Sequence, residues 1–354
     1  MDGWKNKVAN VHQIGGIETA ILDNGTARGM RVAYINTGAG LRLKVLIDRC
    51  MDVSEAFYNE YSLTWLSQNG PSTIQPSNAN NTNLWLTHFG GGLVTTCGLQ
   101  HIGNSESDAN ETRPLNGTIH AQPAEIIAII QPDLHNQQLE MKLVGIIKES
   151  TPFGTHLILK RTIIATLGIA QFSILDEIVN TGNIAAPHML MYHCNFGWPL
   201  VDAGTELFWD GSLQSRGTKS DDAVFNKPDY TIVKAPVVNN NGSAEACAFI
   251  DTYPNKEGNC SCGLINRLIG LKLTMVYDKT ALPWLTNWQH FGKGEYVTGI
   301  EPCTHPPIGQ SKTREENTLI FIEPGEARNY SLEIDVMNNP EIINQFIQES
   351  TITN

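Results

Sequence analysis

Apolar and polar residues alternate in short runs along most of this chain. Leu139, Met141 and Leu143 are spaced by Glu140 and Lys142, and Leu271, Leu273, Met275 and Tyr277 alternate with residues such as Lys272 and Thr274. A period of two places one set of side chains on a buried face and the other on a wetter one, as in a half-buried strand. Residues 30–35 and 41–47 flank Asn36-Thr37-Gly38-Ala39-Gly40, which reads as a hairpin with a glycine-bearing loop. Residues 155–165 and 169–179 form two more runs, broken by Thr166-Leu167-Gly168. Residues 319–322 and 330–336 flank the turn Glu323-Pro324-Gly325-Glu326. Helical spacing stands out near the end, where Ile342, Ile343, Phe346 and Ile347 follow Asn339-Pro340-Glu341. Asn caps a helix well and Pro suits its first position, so a short terminal helix is expected there. Residues 78–83 and 239–243 read as polar loops, and neither is long enough to be a linker. Many strands and few helices predict an all-β, large antiparallel sandwich in a single domain spanning residues 1–354.

Composition narrows this without changing it. Of 354 residues, 41% are hydrophobic and 17% charged, enough apolar surface for a sizeable core and too little charge for a disordered chain. The formal net charge of −12, with no Lys/Arg cluster, argues against a nucleic-acid partner. No apolar stretch reaches the length of a membrane span, and the start MDGWKNKVAN has no secretory apolar core. Seven scattered cysteines fit reduced thiols better than a disulfide framework, so a cytoplasmic protein is expected. Oligomeric state has no handle beyond the general expectation of a symmetric homodimer.

Two segments carry the candidate chemistry. His193 lies in Tyr192-His193-Cys194-Asn195-Phe196-Gly197-Trp198, after an apolar strand-like run. Glu301 lies in Gly299-Ile300-Glu301-Pro302-Cys303, an unusual setting for a merely solvated carboxylate. Taken alone, His193 is a core histidine and Glu301 a strand-end salt bridge. Brought together, they form an acid/base pair, because histidine titrates near neutrality and an apolar setting raises a carboxyl pKa. Arg49 follows the second strand and can fork onto hydroxyls or pair with Asp48 or Asp52. Asn195 and Trp198 stand beside His193, and Gln289 follows Trp288; indoles stack on sugar faces while amides reach hydroxyls. Trp85 and Trp284 complete the set of tryptophans with polar neighbours. The run His88-Phe89-Gly90-Gly91-Gly92 lacks phosphate-loop spacing, and His88, Cys97 and His101 match no closed zinc pattern.

These residues resemble the galactose-mutarotase-like (aldose 1-epimerase) superfamily. His193-Cys194-Asn195-Phe196 is similar to its His-x-x-Phe element, Gly299-Ile300-Glu301-Pro302 to its Glu-Pro element, and Glu323-Pro324-Gly325-Glu326 to its Pro-Gly-Glu turn. Leu115-Asn116-Gly117 resembles its Leu-His-Gly element with Asn116 in place of histidine, so His101 or His120 is the substitute. Tyr192, Gly197 and the Cys303–Pro307 stretch also depart from the pattern, which marks a side branch rather than a true galactose mutarotase. The resemblance implies a β-supersandwich and a cofactor-free isomerase in which Glu301 takes a proton from the anomeric hydroxyl and His193 protonates the ring oxygen. It implies Arg49, His101, His120, Asn195, Trp198 and Gln289 as sugar contacts. Two alternatives share that site. One is proton removal alpha to a carbonyl of a keto-sugar, with a metal held by His88, His101, His120 or His305; the other is sugar binding without turnover.

Overall fold

The computed structural model describes residues 2–73, 84–108, 111–238 and 245–339. The expected terminal helix and both expected polar loops, 78–83 and 239–243, lie outside the described residues. Three antiparallel sheets make up most of the rest. One has eight strands, running from Glu206–Trp209 through Asn259–Asn266, Leu271–Asp278, Ala327–Asn338, Gln171–Asn180, His156–Thr166 and Glu140–Ser150 to Ala124–Ile130. A second, which carries the site, orders Gly211–Ser215, Ala246–Thr252, Trp284–Gly292, Glu295–Cys303, Ala186–His193 and Ile320–Ile322, with Thr95–Leu99 paired on Ala186–His193. The third has five strands from Gly16–Ile21 to Tyr61–Ser62 and contains the expected hairpin as Arg31–Asn36 and Leu41–Leu46.

The alternation read from the sequence is the alternation that packs. Leu157, Leu159, Ile163 and Ala165 of one strand point into the core with Ile174, Leu273 and Leu332 of its sheet. Tyr192, Cys194, Phe196 and Ile300 of the site sheet meet them from the other side. Period-two geometry then sends His193 and Asn195 to the opposite face. The final strand starts earlier than expected, at Ala327, because residues 327–329 continue the pairing with Gln171–Asn180.

One polar group is set into this core. Arg161, fully buried, forks onto Asp176 at 2.9 and 2.7 Å and donates to Asp52 at 3.1 Å and to the Cys50 carbonyl at 2.9 Å. Tyr192 donates to Asp176 at 2.8 Å, and Thr96 donates to Asp52 from its hydroxyl and its backbone N–H. Tyr192 precedes His193, Thr96 sits on the neighbouring strand, and Cys50 follows Arg49. The network therefore holds, from behind, the segments whose far face forms the site.

Candidate active site

His193 and Glu301 are a directly opposed cross-strand pair. Met191 lies opposite Cys303 and Asn195 opposite Gly299, and Ile300 N–H donates to the Cys194 carbonyl at 3.1 Å. The same register puts residue 193 across from residue 301, where side chains of adjacent strands touch. Nδ1 of His193 lies 3.2 Å from Oε1 of Glu301. The approach is within ion-pair range but not aligned for a hydrogen bond, and each of the two atoms lacks another partner. His193 ends its strand as expected, whereas Glu301 lies two residues inside its own, which runs Glu295–Cys303.

Gly299 makes room for the carboxyl. It shares the face of Glu301, and a Cβ placed there would overlap Oε1 of Glu301. Gly299→Ala is expected to turn the carboxyl aside while leaving the strand intact, because the obstacle is a side-chain tip. Misplacing a reacting group by about 1 Å can cost roughly 100-fold. Melting would show a shift of a degree or two at most, and a wild-type turnover rate would contradict this geometry.

Burial dominates the electrostatics. His193 is held down to about 4 and Glu301 is pushed well above the usual carboxyl range, each chiefly by loss of water. The charge of Glu245 raises Glu301 further. Burial thus favours the uncharged form of each group.

Aromatic rings wall the pair. Phe89 stands 5.3 Å from the His193 ring, Trp85 and Trp288 each 5.8 Å, and Trp65 lies 5.9 Å from Phe89 and 6.4 Å from Trp288. The Trp65 N–H donates to the Asn195 carbonyl, and the Asn195 amide donates to the Gly92 carbonyl, which stitches both covering segments to the strand beside His193. Gly91, at φ +74°, packs against the Trp65 backbone where a side chain would collide. Trp288 is fixed by its indole N–H on Glu245 at 3.1 Å. Trp65 and Phe89 were not singled out by sequence reasoning. The glycine run after Phe89 was weighed only as a phosphate loop, although it serves to turn Phe89 over the pair.

The expected sugar contacts divide. Asn195 adjoins the pair, and His120 is separated from it by Trp85, whose ring lies 4.8 Å from His120 and 5.8 Å from His193; both ring nitrogens of His120 and Oδ1 of Asn195 are buried without a partner. Arg49 is close, but its guanidinium donates to the carbonyls of His120, Ser72 and His88 at 2.8, 3.0 and 3.3 Å. Gln289 faces away from Trp288 across its strand and donates to Asn287 and the Tyr230 carbonyl. Trp198 is 67% exposed and stands outside the ring cluster. His101 engages the Asn104 carbonyl and the Gln310 N–H, and His305 engages Thr304 and the Thr318 carbonyl. Among the described residues no three His, Cys, Asp or Glu side chains gather as a metal-binding group. All seven cysteines are buried and free, and no described helix is long and apolar enough to cross a membrane.

A "putative aldose 1-epimerase" from Klebsiella pneumoniae subsp. pneumoniae superposes with a TM-score of 0.83 at 19% identity, over 96% of this chain and 89% of that one. A galactose mutarotase-like protein from Clostridium acetobutylicum gives 0.65 at 10% identity, over 92% and 100%. Galactose 1-epimerase from Lactobacillus acidophilus gives 0.56 at 11% identity, over 91% and 99%. At these identities the likeness establishes the fold, which is galactose-mutarotase-like. Within it the chain belongs to the family described as a domain of unknown function, DUF4432, whose pattern matches residues 27–336. A sequence comparison with curated proteins gave no match.

Proposed function

We propose that this protein is an aldose 1-epimerase-like isomerase that interconverts the anomers of a monosaccharide at the His193–Glu301 pair. The observation that carries this reading is the pair itself: an imidazole and a carboxyl 3.2 Å apart, buried and walled by aromatic rings. Transfer of the carboxyl proton from Glu301 to His193 gives a carboxylate and an imidazolium without changing the net charge. Sugar groups that donate to the first and accept from the second stabilise this ionised form. Glu301 then takes the proton of the anomeric hydroxyl while His193 gives its proton to the ring oxygen. The bond between the anomeric carbon and the ring oxygen breaks and the carbon becomes a carbonyl. Rotation and closure from the other face return both protons and invert the anomer. Holding acid and base at fixed positions supplies the acceleration.

The test is two-dimensional exchange NMR on the eight D-aldohexoses. Anomer exchange faster than the buffer rate for at least one of them is the expected result, and exchange at the buffer rate for all would defeat the proposal. The pH profile is a second check. Below about 4, where the buried His193 gains a second proton for the pair, the site loses its proton acceptor. The acid limb of kcat/KM is expected near that value, with no step at the ordinary histidine value of 6.5.

A further inference from the structure

We infer that the helical turn carrying Trp85 and Phe89 is a lid, which swings on the glycines after it to let a substrate reach the His193–Glu301 pair. The inference rests on the reading above only in taking the pair as the place a substrate must reach. As the rings stand, the pair is shut: His193 is 9% exposed and Glu301 2%. The Phe89, Trp85 and Trp288 rings are centred 5.3, 5.8 and 5.8 Å from the His193 ring. A sugar placed between two rings needs a contact distance on each side, about 7–8 Å in all. One wall must therefore move before a monosaccharide touches the pair.

The walls differ in how they are held. Trp288 lies inside the strand Trp284–Gly292, paired on both sides, with its indole on Glu245. Trp65 donates its N–H to the Asn195 carbonyl and accepts from the Gly92 N–H. Trp85 and Phe89 instead stack on each other at 4.9 Å, on the turn Leu84–His88 and the residue after it. A helix of five residues does not hold itself together, so this one owes its order to the two rings beneath it. Its outer side is bare, with Leu86 59% exposed. Two side chains tether it: the Ser67 hydroxyl donates to the Phe89 carbonyl at 2.6 Å, and the Asn69 amide to the Leu86 and Thr87 carbonyls at 3.1 and 3.4 Å. Arg49 adds a long contact of 3.3 Å to the His88 carbonyl. Gly90, Gly91 and Gly92 follow, with φ of +74° at Gly91 and +120° at Gly92. Beyond them Leu93 and Val94 are fully buried, and Val94 pairs with Val53. Glycines between a lightly tied turn and a fixed anchor can absorb a large backbone rotation.

The polar atoms under the turn favour opening. Among the described residues eight buried side-chain N and O atoms lack a partner, and five of them belong to His120, His193, Asn195 and Glu301. Trp85 lies against both histidine rings, and the Asn195 amide donates to the Gly92 carbonyl at the base of the turn. Burying unpaired polar atoms is unfavourable, and opening relieves it by admitting water or the hydroxyls of a substrate. Few tethers and unpaired atoms beneath place this segment at the low-stability end of the fold.

Acylation of histidines by diethyl pyrocarbonate, read residue by residue with mass spectrometry, tests the lid without a substrate. His188, on the same strand as His193, is the internal reference. It is fully buried, engages the Leu99 carbonyl and the Tyr330 hydroxyl, and reacts only when the sheet itself opens. His193 and His120 are expected to react together, at least about 10-fold faster than His188. In the double variant Ser67→Ala, Asn69→Ala both rates are expected to rise at least about fivefold while that of His188 stays unchanged. The inference is overturned if His193 reacts no faster than His188, or if the double variant leaves its rate unaltered. Should the double variant fail to fold, Ser67→Ala alone carries the comparison, with a rise of about twofold or more. Opening without anomer exchange on any of the eight D-aldohexoses would defeat the isomerase reading and leave the lid standing. Exchange by a protein whose His193 reacts no faster than His188 would do the reverse.

Discussion

Glu301→Gln is expected to give a folded protein that is more stable than wild type at pH 7 and does not accelerate anomer exchange. A general base contributes roughly 100- to 10,000-fold, and an amide of the same shape cannot accept the proton. The stability gain follows from the raised pKa of Glu301. The unfolded chain carries this carboxyl ionised above its ordinary value of 4.5, whereas the folded chain must protonate it. The folded state thus binds more protons between that value and the raised one, and wild-type stability falls as pH rises through this window. The amide removes that slope, so the gain over wild type grows with pH. Urea denaturation at pH 5 and pH 8, alongside exchange NMR, checks both halves. A residue kept for packing would lose stability on replacement, whereas one kept for chemistry loses only turnover.

Arg161→Met is expected to lower stability by about 3–5 kcal/mol, the usual result of removing one partner from a buried ionic group. Asp176 and Asp52 would stay in the core without their cation, and their neighbours Tyr192 and Thr96 do not carry charge. Asp176→Asn together with Asp52→Asn in the Arg161→Met background should recover part of the loss, because the stranded charges are gone. Chemical denaturation measures both. A loss below about 1 kcal/mol would mean that the group is no more than a surface-like pair. Turnover is expected to fall as well, since Tyr192 anchors the strand that ends in His193.

The strands were legible because period-two patterning survives wherever one face is buried. The hairpin at residues 30–47 was legible from its glycine-bearing loop; the strands flanking the turn at 323–326 were legible too, but they enter different sheets, Ile320–Ile322 beside Ala186–His193 and Ala327–Asn338 beside Gln171–Asn180. His193 and Glu301 could be singled out from their company, but their contact is set by the register of two strands joined through a long excursion, and register is not written in either strand alone. Tyr192, noted first as a departure from the family pattern, answers to a partner on another sheet, Asp176. Arg49 and Gln289 were chosen for donors that the fold spends on backbone carbonyls and an amide, an allocation that depends on loop paths. His120 was legible only as one histidine among several; the absence of a partner for its ring sets it apart.

The most direct test is the crystal structure of the Glu301→Gln protein with its tightest-binding aldohexose. The account predicts the anomeric hydroxyl within hydrogen-bond distance of the side chain at position 301 and the ring oxygen facing His193. A sugar seated with its anomeric carbon turned away from the pair, or bound elsewhere on the protein, would contradict it.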